Sequence, residues 1–167
     1  ASTTVVANHF KGKAAFGYVM AAEIENVNRV LVSGERPALA IVGGSKVSSK
    51  INILQRLMDR VDHIIIGGGM SFTFIKARGG EVGESICEMD HLVTARAIEK
   101  RAMEKNVQLH FPIDVVAADA FAPEANTQIC AIEAIPAGWQ GLDAGPETIK
   151  AFRRVVRQAK TLLWNGP

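Results

Sequence analysis

The stretch Leu39 to Lys50, LAIVGGSKVSSK, constrains the fold of this chain more than any other. It opens with an unbroken apolar run, Leu39, Ala40, Ile41 and Val42, of the length and character of a strand buried in a parallel sheet. Gly43 and Gly44 follow, and from Val47 the spacing of Val47, Ile51, Leu54, Leu57 and Met58 predicts one face of a helix. Strand, glycine turn and helix together bring unpaired backbone N–H groups up to an anion. Gly43 and Gly44 carry no Cβ, so a ligand can approach their backbone closely. Lys46 and Lys50 lie four apart and, if both are helical, share a face near that positive end. A phosphate-bearing ligand fits this arrangement, and so does a plain tight turn followed by two solvated lysines. The stretch is not a P-loop, because G-x-x-x-x-G-K-[ST] is absent, and no G-x-G-x-x-G follows the strand.

The chain has 167 residues, enough for one domain with its own core, and 48% hydrophobic with 22% charged residues is an ordinary globular balance. A net charge of +2 is too small for nucleic-acid binding by bulk electrostatics, so any basic function rests on local placement, as at Lys46 and Lys50. Cys87 and Cys130 stand far apart in no CxxC or Cys/His spacing, which suits free thiols in a reducing compartment. His9, His63, His91 and His110 form no HxxxH or HExxH pair, so the spacing offers no zinc site. No apolar run reaches the ~18 residues of a transmembrane helix, and no signal peptide opens the chain. Both ends read as cuts in a longer chain: the first residue is alanine, and WNGP stops just after a strand-like run.

Residues 1–16 show no clear periodicity. Gly17 to Val32 reads as a helix with an apolar stripe of Tyr18, Met20, Ala21, Ile24, Val27, Val30 and Leu31, stopped by Ser33, Gly34 and Pro37. After the opening strand and helix, Asp62 to Ile66 is a second buried strand, ending in Gly67, Gly68 and Gly69. Met70 to Lys76 starts a helix closed by Gly79 and Gly80, and another spans about His91 to Lys105 with Leu92, Ala95, Ile98, Ala102 and Met103 inward. Val107 to Phe111 is a third strand, Asp114 to Ala118 a further extended run, and Gln128 to Ile132 a short extended segment off the main sheet. Gly138 to Pro146 carries so much glycine that it reads as a functional loop. Thr148 to Ala159 is helical, and Thr161 to Trp164 is a last buried strand before Asn165 and Gly166. Strands alternating with helices predict an α/β domain with a mostly parallel sheet and helices on both faces. In such sheets ligands sit outside the carboxyl ends of the strands. Four glycine-rich turns are expected at that rim: Gly43–Gly44, Gly67–Gly69, Gly138–Gly145 and Asn165–Gly166.

IVGGSKVSSK, IIIGGGMSFTF, PAGWQGLDAGP and LLWNGP, in this order and at these separations, resemble the phosphoglycerate kinase family, and the opening ASTTVVA resembles the segment after that family's HRAHA stretch. The resemblance runs over essentially the whole chain. It implies residues 1–16 as the tail of a substrate-binding domain, residues 17–33 as the interdomain helix, and residues 34–167 as a nucleotide-binding, Rossmann-like domain incomplete at its ends. The activity implied is reversible phosphoryl transfer from 1,3-bisphosphoglycerate to MgADP, giving 3-phosphoglycerate and ATP, by a cytoplasmic, glycolytic enzyme that is monomeric when complete.

Residue by residue, the resemblance assigns Lys46 to the phosphoryl group in transfer and Lys50 to the nucleotide's α and β phosphates. It assigns Gly44 and Ser45 to the nucleotide lining, and Gly68 and Gly69 to a flat backbone surface under the adenine. Gly141 and Leu142 fall in the loop that closes the adenosine slot, with Ile86 and Phe121 as its apolar walls. Asn165 falls near the phosphates. Phosphoryl transfer is mostly positioning and charge neutralisation, which agrees with lysines and backbone N–H groups rather than a nucleophilic side chain. Ser49 stands where many members carry an aspartate close to the metal, so no residue of this chain is assigned as a metal ligand, and Mg²⁺ is expected on the nucleotide phosphates. The sequence stops before the family's acidic ribose contact and its later GGGDT loop, so residues 1–167 alone are expected to be inactive. Two rival readings are a stand-alone nucleotide-binding module without catalysis and a structural domain that has lost its ligand. The presence of Lys46 and Lys50 argues against the second.

Overall fold

The computed structural model describes residues 5–10, 12, 13 and 15–166. Parts of the stretch 1–16, namely 1–4, 11 and 14, therefore lie outside the described residues. In chain order the elements are α1 (Tyr18–Ser33), β1 (Ala38–Val42), α2 (Ile51–Leu57), β2 (His63–Ile66), α3 (Met70–Ala77), β3 (Glu81–Val82), α4 (Leu92–Glu104) and β4 (Gln108–His110). They continue with β5 (Asp114–Ala118), β6 (Thr127–Ala131), β7 (Ala134–Ile135), β8 (Gln140–Ala144), α5 (Pro146–Gln158) and β9 (Thr161–Asn165).

The main sheet is fully parallel in the order β4-β2-β1-β9, with Val42 in register with both Ile66 and Asn165. Ala38, Ala40, Val42, Ile64 and Ile66 point to one face and form a core with Leu54 and Leu57 of α2, Met70 and Phe74 of α3, and Ala95, Ile98 and Ala102 of α4. From β1 the chain passes to β2 and then β4 on one side, whereas β9 returns on the other. The strand order therefore reverses between β1 and β9, and a crevice at such a reversal is where open α/β sheets bind ligands.

A second core lies on the far side of α3. Phe72 and Ile75 pack there with Val82, Val115, Ala117, Ile132 and Ile135, from the antiparallel sheet β6-β5-β8, the β3-β7 pair and the turn between them. The eight-residue α3 is apolar nearly all round, MSFTFIKA, and every residue but Lys76 is buried, because it has a core on each side. A polar joint ties the small sheet to α5. The Asp114 carboxylate accepts from Thr148 N–H at 2.7 Å and Glu147 N–H at 3.0 Å, capping the first turn of α5. The Thr148 hydroxyl in turn accepts from Ile113 N–H at 2.8 Å and Asp114 N–H at 3.0 Å. Burial pushes the Asp114 carboxyl up, but these hydrogen bonds outweigh it and hold the group below its ordinary value.

Several sequence expectations need correction. Gly138 to Pro146 is not a loop throughout: residues 140–144 form β8, paired with β5 through a register shift at Val116/Ala117. That pairing supplies hydrogen bonds that local glycine content does not reveal. The helix expected from Val47 begins only at Ile51, and Val47 is a buried plug in the preceding turn. Met103 lies outward, 70% exposed, because α4 turns only Ala95, Ile98 and Ala102 fully inward. β9 alternates rather than being buried: Leu162 and Trp164 are exposed, since β9 is an edge strand of this sheet. Along α1 the expected apolar stripe is largely exposed, including Tyr18, Met20, Ile24 and Val27.

Candidate functional site

Three turns meet backbone to backbone at the carboxyl ends of β1, β2 and β9. Gly67 N–H donates to the Val42 carbonyl at 2.9 Å and Met70 N–H to that of Gly44 at 2.9 Å, locking the second turn onto the first. Gly68 has φ +67, and a Cβ there would lie 2.8 Å from the Gly44 carbonyl oxygen, so two independent constraints require glycine. On the other side Gly43 N–H donates to the Asn165 carbonyl at 2.9 Å. At Gly166, with φ +113, a Cβ would meet the Gly43 carbonyl oxygen at 2.5 Å. The rim of the β1/β9 crevice is therefore bare backbone.

Lys50 arches over this backbone. Its Nζ donates to Asn165 Oδ1 at 2.8 Å, and its Cε would be 3.3 Å from a Cβ at Gly44. Lys46 sits on the exposed turn before α2 and makes no salt bridge among the described residues. The two lysines do not share a helical face, since Lys50 immediately precedes the first residue of α2. A turn orders the segment instead: Lys50 N–H donates to the Val47 carbonyl at 2.8 Å, and the Ser49 hydroxyl to that of Lys46 at 2.9 Å.

Glu88 anchors this lysine turn, and sequence reasoning missed it. Its carboxylate accepts from the Ser48 N–H at 3.0 Å and the Ser48 hydroxyl at 2.6 Å. The Glu88 N–H donates to the buried Thr73 hydroxyl of α3 at 3.0 Å. Burial alone raises the Glu88 carboxyl, yet the Ser48 bonds outweigh it and hold the group low. Forty residues separate Ser48 from Glu88, and no local pattern announces such a contact.

Beside the turns opens a cavity of about 130 Å³, lined by Gly67, Gly68, Gly69, Phe72, Gly141, Leu142 and neighbours from β8 and α5. Gly141 lies so close to Phe72 that a Cβ would fall 2.5 Å from the ring, and its N–H donates to the Ser85 hydroxyl at 2.9 Å. Ser85 and Phe72 were likewise not singled out from the sequence. Ser45 and Ile86 flank Gly69, at 3.4 Å and 3.5 Å from the position of a Cβ there, with Ile86 57% exposed. Phe121 stands apart. It is 86% exposed on the connection after β5 and does not line the cavity, so the structure does not bring it together with the others. The expected Gly138–Gly145 turn likewise does not belong to the main sheet's rim; only its strand residues reach the cavity.

Chemically, the crevice offers backbone N–H groups and the Lys50 ammonium to an anion, with Lys46 on the adjoining exposed turn, and the neighbouring slot is lined by glycine backbone and apolar side chains. Among the described residues no cluster of three or more His, Cys, Asp or Glu is placed to hold a metal ion. No helix is long and apolar enough to cross a membrane, among the same residues.

A family model described as phosphoglycerate kinase matches residues 1–167. A phosphoglycerate kinase of Prochlorococcus marinus is 52% identical over 167 residues, covering 100% of this chain and 41% of the relative. That of Trichodesmium erythraeum is 48% identical, covering 100% of this chain and 42% of the relative. Among solved structures, phosphoglycerate kinase from Coxiella burnetii superposes with a TM-score of 0.86 at 40% identity, over 90% of this chain and 39% of that one. The Pyrococcus horikoshii enzyme, at 20% identity and a TM-score of 0.75, shares the fold. The chain thus spans about two fifths of the length of the curated relatives it matches.

Proposed function

We propose that this chain, which belongs to the phosphoglycerate kinase family, forms the nucleotide half of an enzyme that moves a phosphoryl group between 1,3-bisphosphoglycerate and MgADP. The observation that carries the reading is the Lys50–Asn165 bridge across the β1/β9 crevice, above three turns of bare glycine backbone. In this reading Lys50 and Asn165 hold the α and β phosphates, and Gly44 and Ser45 line the nucleotide. Gly68 and Gly69 form the floor beneath the adenine, with Gly141, Leu142 and Ile86 around it. Phe121 joins this wall only if the connection after β5 folds inward. Lys46, free of salt bridges on its turn, neutralises the charge on the phosphoryl group in flight. The step needs no nucleophile from the protein: the attacking oxygen belongs to the nucleotide or to the 3-phosphoglycerate carboxylate, and the protein supplies alignment and charge.

In this reading Mg²⁺ is held through the nucleotide phosphates, beside a lysine turn whose Glu88 carboxylate is engaged by Ser48. The ion belongs to the substrate complexes MgADP and MgATP, and no step is assigned to it. Residues 1–16, 17–33 and 34–167 are read as the tail of the substrate domain, the interdomain helix and the nucleotide domain. The acyl phosphate is then held by parts of a longer protein, residues 1–167 alone turn nothing over, and the complete enzyme works as a cytoplasmic monomer in glycolysis.

Lys46→Ala in the intact enzyme tests the reading. Removing one preorganised charge from a transferring group costs ~10²–10³ in rate, whereas loss of an exposed lysine shifts stability by less than about 0.5 kcal/mol. A variant with near-parental turnover in a coupled assay overturns the assignment. The alternative, a binding module without catalysis, predicts that the intact parent binds ADP yet forms no ATP from 1,3-bisphosphoglycerate.

A further inference from the structure

Away from the crevice, two histidines face one another across strands β2 and β4. Ile65 is in register with His110, and His63 lies two residues before Ile65, so all three share one face of the sheet. His63 Nδ1 lies 3.2 Å from His110 Nε2, with ring centroids 5.3 Å apart. Both rings are partly buried, and His110 borders a cavity of about 450 Å³ between β4 and Ala151 and Phe152 of α5. Neither lies at the β1/β9 crevice: His63 opens β2, at the opposite end from Gly67, and His110 stands on β4, at the far edge of the sheet from β9.

We propose that His63 and His110 form a two-histidine chelate for a divalent transition metal. Imidazole nitrogens bind such ions at ~2.0–2.1 Å. Two nitrogens 3.2 Å apart then subtend roughly 100–105° at the metal, between the square or octahedral and the tetrahedral angle. The two ligands stand on adjacent hydrogen-bonded strands, so little side-chain freedom remains to be lost on binding.

Without metal, one ring donates its N–H to the other. On binding, that ring's proton moves to its far nitrogen, so both facing nitrogens present lone pairs and the neutral pair releases no net proton. Water completes the coordination shell, because no third His, Cys, Asp or Glu joins the pair among the described residues. Copper(II) is the tightest-binding ion expected, with nickel and zinc weaker.

The test is a Cu²⁺ titration of the intact, nucleotide-free protein, followed by calorimetry and electron paramagnetic resonance. One saturable equivalent with coupling to two nitrogens is expected. His63→Gln and His110→Gln should each weaken binding at least about tenfold, and the double variant should lose little more. Melting curves check that the variants fold. If they do not, ¹⁵N imidazole spectra of the parent titrated with Zn²⁺ decide instead, with shifts expected at His63 Nδ1 and His110 Nε2. Unchanged affinity in the folded single variants, the absence of a saturable equivalent, or shifts confined to His9 and His91 would each overturn the proposal.

Discussion

Removing the carboxylate at Asp114 should cost this protein more than any other single hydrogen-bonding change on the small sheet. In Asp114→Ala, Thr148 N–H loses its 2.7 Å acceptor while Thr148 remains fully buried. An orphaned buried donor costs about 1–3 kcal/mol. Losing the negative charge at the α5 N-terminus adds about 0.3–1 kcal/mol. The Thr148 hydroxyl still reaches the Asp114 carbonyl at 2.7 Å, so its contribution persists. The total is about 1–4 kcal/mol. Asp114→Asn keeps an acceptor for Thr148 but sets an amide N–H against Glu147 N–H, and should cost about half as much. Urea unfolding of the intact protein, followed by fluorescence that includes Trp139 and Trp164, reads the difference; at a slope of about 2 kcal/mol per molar the alanine variant shifts the midpoint by about 0.5–2 M. The folded Asp114 carboxyl is held below its unfolded value. Its contribution is therefore complete above the ordinary carboxylate range, near pH 4, and is lost as pH falls through the depressed folded value. Parent and Asp114→Asn should accordingly converge in strong acid. An alanine variant within about 0.5 kcal/mol of the parent, or a gap that persists in acid, would refute the reasoning.

Three further outcomes follow from the crevice. Gly68→Ala forces a left-handed backbone on a residue with a Cβ and sets that Cβ 2.8 Å from the Gly44 carbonyl oxygen; a loss of at least about 1–2 kcal/mol in melting should accompany a larger loss of ADP affinity by calorimetry. Asn165→Asp should weaken ADP binding more than Asn165→Ala, because the new carboxylate pairs with Lys50 and repels phosphate, and the gap between them should narrow as salt rises. Glu88→Ala frees Ser48 and the lysine turn, so ADP affinity should fall about tenfold, near 1.4 kcal/mol, while melting changes little. Since the Glu88 carboxyl is held low by Ser48, the parent's advantage should be complete above the glutamate range and vanish as pH falls through the depressed value.

The sequence made the main sheet legible because LAIV and HIII are buried on both faces, a demand that leaves a continuous apolar run. α3 was equally plain, since a helix between two cores must be apolar on every side. Legibility failed where a partner distant in sequence decides the local state. β8 holds Gly141, with Gly145 just beyond its end, and reads as loop, yet β5 pairs with it, Phe72 crowds Gly141, and the Asp114 carboxylate fills the space a Cβ at Gly145 would take. The start of α2 slipped because Val47 obeys helical spacing while serving as the plug of a turn. For the site, glycines and lysines were visible as types, whereas Glu88, Thr73 and Ser85, which fix their positions, act across spans that no window covers.

The helix α3 bears on both halves of the site at once. Thr73 holds Glu88 and through it the lysine turn, while one residue earlier Phe72 sets the height of Gly141 above the slot. Anything that shifts this helix along its axis would move the two halves of the candidate site together and leave the span between them unaltered. In the proposed reading of the crevice, the interval from phosphate end to base end is then gauged by adjacent residues on a single turn of helix.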